Sequence, residues 1–239
     1  MGLPPKNRSK PWPQAVIFDL DGTLVDTADD IAGALNQTLD ELGLPPHAPR
    51  AVRLMIGGGL PKLLDRALAA HAAVLDGTMR DKAAARLYEL YAARPAVLSR
   101  LYPGAAELLR ALAEAGVACG LCTNKPDAIS RDLLREMGIA EMLSSIQCGD
   151  GDLPKKPDPA GIARVMESLG AAPETTIMVG DSLTDVKAAR AASLAGIVLV
   201  SYGYTATPAH ALGADAVIDT LPELPGALAA LAARQGANL

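Results

Sequence analysis

Hydrophobic positions along this chain fall into two alternating kinds of run. Short apolar stretches rich in β-branched residues recur at Ala15-Val16-Ile17-Phe18, Val117 to Cys122, Thr176-Ile177-Met178-Val179 and Ile197-Val198-Leu199-Val200, with a weaker one at Ala216-Val217-Ile218. They lack the polar alternation of a half-exposed strand, as expected for strands of a parallel sheet covered on both faces. Between them lie helix-like segments such as Gly104 to Ala115, entered through Pro103 as a first-turn residue, and Asp181 to Ala192. This alternation predicts an α/β fold, a doubly wound, Rossmann-like parallel sheet.

The alternation stops between Thr27 and about Ala96. Ile31, Leu35, Leu39 and Leu42 form a helical stripe that Gly43 ends; Leu60, Leu63, Leu64, Ala67 and Leu68 form a second, and Leu87, Leu90 and Tyr91 lie on a third. About seventy residues are too many for one crossover helix. The expected plan is therefore a disordered tail over 1–14, an α/β core over 15–26 and 97–239, and an inserted helical domain over 27–96. The tail is basic, but no apolar run follows it as a signal peptide requires. Nor does any stretch approach the roughly 18 uninterrupted apolar residues of a membrane helix. A cytoplasmic location is expected.

Charge narrows the class of ligand. The 22 Lys and Arg against 27 Asp and Glu leave a formal net charge of −5, with no basic block interleaved with aromatics. That excludes a nucleic-acid or anionic-membrane partner and points to a small soluble ligand. Three cysteines, Cys119, Cys122 and Cys148, make no disulfide framework. Cys119 and Cys122 match C-x-x-C, but three residues apart on a strand they point to opposite faces, so core cysteines are expected rather than a redox pair. His47, His71 and His210 lack the spacing of a zinc site.

The candidate chemistry lies just after the strands. Asp19-Leu20-Asp21-Gly22-Thr23 follows the first apolar run, at the carboxyl end where open parallel sheets bind ligands. A second acidic cluster, Gly180-Asp181-Ser182-Leu183-Thr184-Asp185, follows the run at 176–179 and opens a helix. Helix capping by Asp181 accounts for part of it. Converging carboxylates on two neighbouring strand ends also suit Mg²⁺. Asp19, Asp21, Asp181 and Asp185 brought together repel one another, and a divalent cation relieves this. Lys155-Lys156-Pro157-Asp158-Pro159 offers positive charge for a phosphate, and Thr123-Asn124-Lys125 offers a hydroxyl and backbone N–H groups for its oxygens.

In order, Asp19-x-Asp21-Gly22-Thr23, Thr123-Asn124, Lys156-Pro157-x-Pro159 and Gly180-Asp181-Ser182-x-x-Asp185 resemble the four motifs of the haloacid-dehalogenase-like hydrolase superfamily, and the helical insertion resembles its cap of the first type. The resemblance implies Asp19 as nucleophile forming an aspartyl-phosphate, and Asp21 as general acid and base. It implies phosphoryl binding by Thr123, Asn124 and Lys156, with Lys156 also neutralising Asp19. It further implies Mg²⁺ held by the Asp19 side chain, the Asp21 backbone carbonyl and Asp181, with Asp185 supporting the shell. An acid at Asp21 is what phosphoryl-transfer members use and halide-displacing members do not need.

Leu101-Tyr102-Pro103-Gly104, Cys122-Thr123-Asn124-Lys125-Pro126, Ser201-Tyr202-Gly203-Tyr204, Ile56-Gly57-Gly58-Gly59 and Arg66-Ala67-Leu68 are similar to the phosphoglycolate phosphatase family. The resemblance implies hydrolysis of a small phosphorylated metabolite, 2-phosphoglycolate above all. Other sugar-phosphate phosphatases, pyrophosphatases and a β-phosphoglucomutase-like isomerase are the alternatives, with a receiver-like phospho-acceptor more remote; a homodimer stays open as the assembly. Arg53, Lys62 and Arg66 are the cap cations proposed for a substrate carboxylate, beside Gly57-Gly58-Gly59 as a source of backbone N–H groups.

Overall fold

The computed structural model describes residues 11–236. In chain order, β1 (Ala15–Phe18) and the short β2 (Val25–Asp26) precede four helices, α1 (Ala28–Glu41), α2 (Pro49–Met55), α3 (Leu60–Ala70) and α4 (Gly77–Ala93). Then come β3 (Arg100–Leu101), α5 (Ala105–Glu114), β4 (Ala118–Cys122), α6 (Asp127–Glu136), β5 (Ser145–Gln147) and α7 (Ala160–Leu169). The chain finishes with β6 (Thr176–Gly180), α8 (Leu183–Ala191), β7 (Gly196–Val200), β8 (Ala216–Ile218) and α9 (Leu224–Gly236).

Six strands form one parallel sheet in the order β5-β4-β1-β6-β7-β8. β1 is central, so Ala15, Val16, Ile17 and Phe18 have no exposed surface, which explains why that run carries no polar residue. Its two faces feed different cores. Val16 and Phe18 pack with Leu121, Val179 and Val198, whereas Ile17 packs with Ile162, Met178 and Leu199. Cys119 lies in the first core and Cys122 in the second, as strand alternation requires. Burial pushes their thiols up to about 12 and about 11, which leaves them inert.

Three features escaped the periodicity. β5 is a half-buried edge strand reading Ser-Ile-Gln, with no apolar run to mark it. β2 and β3 are two residues each and pair antiparallel, Val25 with Leu101, joining the two ends of the helical excursion. The tail expected over 1–14 lies outside the described residues as far as 10, and its last four residues are seated rather than loose. Pro13 is buried, Trp12 packs on the sheet core, and Gln14 exchanges backbone hydrogen bonds with Thr175 and Ala118.

Helices α1 to α4 enclose a core of their own, built on Leu35, Leu39, Leu64, Leu87 and Tyr91, all buried, which are the stripe residues of the sequence. Ile129 of α6 joins this cluster, so the helical layer also rests on the α/β body. Asp30 of α1 is buried and accepts hydrogen bonds from the Leu98 and Ser99 amides and the Ser99 hydroxyl, at 2.7–3.0 Å, which fastens the first helix to the returning chain.

Candidate active site

Strand register decides which residues meet. Phe18 is level with Leu121 of β4 and Val179 of β6, and the Asp19 amide continues the ladder to the Val179 carbonyl at 2.9 Å. Asp19 therefore leaves the sheet at the height of Cys122 and Gly180, one residue before Thr123 and Asp181. The chain passes from β1 to β4 on one side and to β6 on the other, so this edge is also where the strand order reverses and a crevice opens.

The loop after β1 is held by its own backbone: the Leu20 carbonyl accepts from the amides of Thr23, Leu24 and Val25 at 3.0–3.2 Å. Asp19 Oδ1 accepts from the Leu20 amide at 2.7 Å and lies 3.1 Å from Lys156 Nζ. Lys156 is buried and also donates to Asp185 Oδ1 at 2.7 Å. The other oxygen of Asp185 accepts from the Ser182 hydroxyl at 2.6 Å and from the Ser182 and Asp181 amides. The capping duty expected of Asp181 is thus performed by Ser182 and Asp185 at the start of α8. Asp181 is left to face the crevice, its Oδ2 accepting the Tyr204 amide at 2.6 Å.

Asp19, Asp181 and Asp185 each present a carboxylate oxygen within 4.8 Å of the others. Burial is the largest influence on Asp19. With Asp185 and Asp21 nearby it outweighs the attraction of Lys156 and pushes the carboxyl up to about 6. Burial and the neighbouring Asp185 and Asp19 likewise raise Asp181. Burial opposes the charge of Lys156, but Asp185 and Asp19 more than reverse this and raise its pKa. Four acids gather here against two ammonium groups, Lys156 and Lys125, so two negative charges are in excess. Oxygen-only donors around that excess fit a hard divalent cation.

Asp21 stands apart from this trio. Its Oδ1 accepts from Lys125 Nζ at 2.8 Å and from the Thr27 hydroxyl at 2.7 Å. Thr123 is buried and lines the crevice. Asn124 lines it too, but its Nδ2 donates to the Lys156 carbonyl at 2.9 Å, so its amide holds the lysine segment in place. Lys155 is exposed.

The roof of the crevice comes from the helical layer: Ile31, Ile56, Gly57 to Gly59, Leu60 and Leu63. Of the three cations expected there, Arg53 and Arg66 are engaged elsewhere. Arg66 donates to the Met55 and Gly57 carbonyls at 2.6 and 2.8 Å, pinning the glycine loop from behind. Arg53 pairs with Asp26 at 3.1 Å and donates to the Tyr102 hydroxyl and the Tyr202 carbonyl, joining helix α2 to the α/β body. The Lys62 stem lies against Gly58, where a Cβ would stand 2.7 Å from its Cδ. Residue reasoning missed Lys125 as a side chain and Tyr204 as the amide on Asp181. Only the presence of both in motif-like segments hinted at them.

Comparison with known proteins places the chain in a family. The profile described as haloacid dehalogenase-like hydrolase matches residues 16–199. A phosphoglycolate phosphatase of Rhodospirillum rubrum is 43% identical over 216 residues, 89% of each chain, and one of Caulobacter vibrioides is 40% identical over 212 residues, again 89% of each. A crystal structure from Haemophilus somnus, described as a predicted phosphoglycolate phosphatase, superposes with a TM-score of 0.83 at 28% identity, covering 89% of this chain and 96% of that one.

Proposed function

The chain belongs to the haloacid dehalogenase-like hydrolase family and is a phosphoric monoester hydrolase, and from that premise we propose that it is a Mg²⁺-dependent phosphatase acting through an aspartyl-phosphate on Asp19, with 2-phosphoglycolate as substrate. The observation that carries the reading is the pairing of a nucleophile and a separate acid on one loop. Asp19 lies beside Lys156 and the acidic trio, while Asp21, two residues on, is held off by Lys125 and Thr27 at the same crevice.

In this reading residues 27–96 form a cap over the α/β core. Asp19 attacks phosphorus, and Asp21 gives its proton to the leaving oxygen and then takes one from the hydrolytic water. Lys156 neutralises Asp19 and the phosphoryl oxygens, and Thr123 binds one of those oxygens from the floor. Asp19 and Asp181 would hold the metal with the Asp21 backbone carbonyl, and Asp185 would keep Lys156 and the loop in register. The ion supplies the charge neutralisation that lets a carboxylate approach a phosphate dianion. The apolar roof excludes water from the two-carbon substrate. The substrate assignment rests on the names of the relatives.

Phosphate release from 2-phosphoglycolate, hexose phosphates, a nucleotide and pyrophosphate, each with Mg²⁺ and with EDTA, tests the proposal. Metal-dependent turnover dominated by 2-phosphoglycolate and abolished in a folded Asp19→Asn variant is expected. A different preferred substrate would overturn the substrate assignment alone, and wild-type rates for Asp19→Asn would overturn the mechanism.

A further inference from the structure

Lys125 and Tyr91 are buried, mutually bonded and unused by the steps above. Lys125 leaves the end of β4, Tyr91 sits on α4 in the helical layer, and both side chains are almost wholly shielded. The Lys125 ammonium donates to the Tyr91 hydroxyl and, at 2.8 Å, to Asp21 Oδ1. The Thr27 hydroxyl donates to that same oxygen at 2.7 Å. Among the described residues no donor reaches Asp21 Oδ2, and Asp21 lines the crevice. Because the Lys125 ammonium can only donate, its bond to Oδ1 favours the hydrogen of a protonated Asp21 carboxyl on Oδ2, the oxygen that no described donor reaches.

We propose that Lys125 is a positioning residue for the acid step, anchored by Tyr91 of the helical layer: by filling Oδ1 it fixes the Asp21 carboxyl with Oδ2 toward the leaving group. The inference rests on the role proposed for Asp21. As an Asp19 oxygen bonds to phosphorus, the ester P–O bond breaks, its electron pair passes to the leaving oxygen, and that oxygen takes the proton from Asp21 Oδ2. Asp21 becomes the carboxylate, whose charge the Lys125 ammonium faces. Because one partner of Lys125 is borne by α4, the acid is fully held only while the helices are seated on the α/β body.

The test is a leaving-group comparison on the full-length protein, with kcat/KM measured for the best alkyl phosphate of the panel above and for p-nitrophenyl phosphate, whose phenolate departs without a proton. Lys125→Met is expected to lose about 100-fold on the alkyl ester and to stay near wild type on the aryl ester. Tyr91→Phe, which keeps the ring and removes only the hydroxyl, is expected to show the same selectivity at smaller amplitude, and decides the matter if Lys125→Met does not fold. Equal losses on both esters would overturn the inference. Asp21→Asn separates the two levels: if it too treats the esters alike, the acid role of Asp21 fails first; if it discriminates and the Lys125 and Tyr91 variants do not, only the positioning role fails.

Discussion

At Gly203 the backbone passes so close to Asp181 that a Cβ would stand 2.1 Å from the aspartate Cβ, and at Gly22, with φ +78°, one would stand 2.6 Å from its Oδ2. Glycine is required at both places because the carboxylate is wedged between two stretches of main chain. Gly203→Ala should therefore displace Asp181 and raise the Mg²⁺ concentration for half-maximal activity by about 10–100-fold, the usual cost of disturbing a ligand's support; a metal titration of the folded variant checks this. Arg66 makes a contrasting case. Its guanidinium is occupied by the Met55 and Gly57 carbonyls, so it shapes the roof rather than meeting a substrate carboxylate. Arg66→Ala should raise KM by about fivefold, the scale of a lost hydrogen bond, and by the same factor for 2-phosphoglycolate and for an ester without a carboxylate. A selective rise for 2-phosphoglycolate would show that Arg66 releases the loop and turns to the substrate.

Among elements, the joint between the helices and the sheet rests on few contacts. Asp30 satisfies the amides of Leu98 and Ser99 where the chain returns to the sheet, and Arg53 bridges α2 to Asp26 and the Tyr202 carbonyl. The two differ in worth. Arg53 and Asp26 are each about a third exposed, so solvent screens that pair, whereas Asp30 is buried and its loss strands donors without water. Asp30→Ala should cost about 2 kcal/mol, seen as a Tm drop of about 4–8 °C for a chain of this size. Scanning calorimetry would test it, and an unchanged Tm would show that water replaces the carboxylate. The elements themselves were legible to different degrees. Long stripes such as Leu35, Leu39 and Leu64 announced their helices because the 3.6-residue period is a local property. β5 and the β2–β3 pair were not legible: an edge strand and a two-residue pairing are defined by their neighbours, not by their own side chains.

For the whole molecule, the acidic site carries a cost in stability that depends on pH and metal. The Asp19 carboxyl is raised to about 6 by burial and Asp181 is raised as well, so the folded protein holds protons that the unfolded chain releases near the ordinary value of 3.8. A raised acid makes stability fall as pH climbs between these limits. In EDTA the Tm contribution of the site should therefore decline from pH 4 toward pH 6 and beyond, and Asp181→Asn should flatten the decline. At the proposed metal site, Mg²⁺ at neutral pH is expected to restore Tm, as any ligand taken up by the folded state alone does. Asp215 runs the other way: burial is outweighed by the Arg190 and Ile197 hydrogen bonds, its pKa is lowered, and its contribution is lost only as pH falls below the ordinary carboxylate range. Thermal unfolding of wild type and Asp181→Asn across pH, with and without metal, separates the two trends. Apolar runs, helical stripes and acids placed directly after strands are properties of neighbouring residues, so the α/β fold, the inserted helices and the candidates Asp19, Asp21, Asp181 and Lys156 could be read from the sequence. Which charges meet depends on strand register and on the seating of one layer on another. Lys125 reaches Asp21 across 104 positions, and Arg53 reaches Tyr202 across 149. No local period encodes those distances, so only the tertiary structure decided that Lys125 meets Asp21 while Arg53 and Arg66 brace the helical layer.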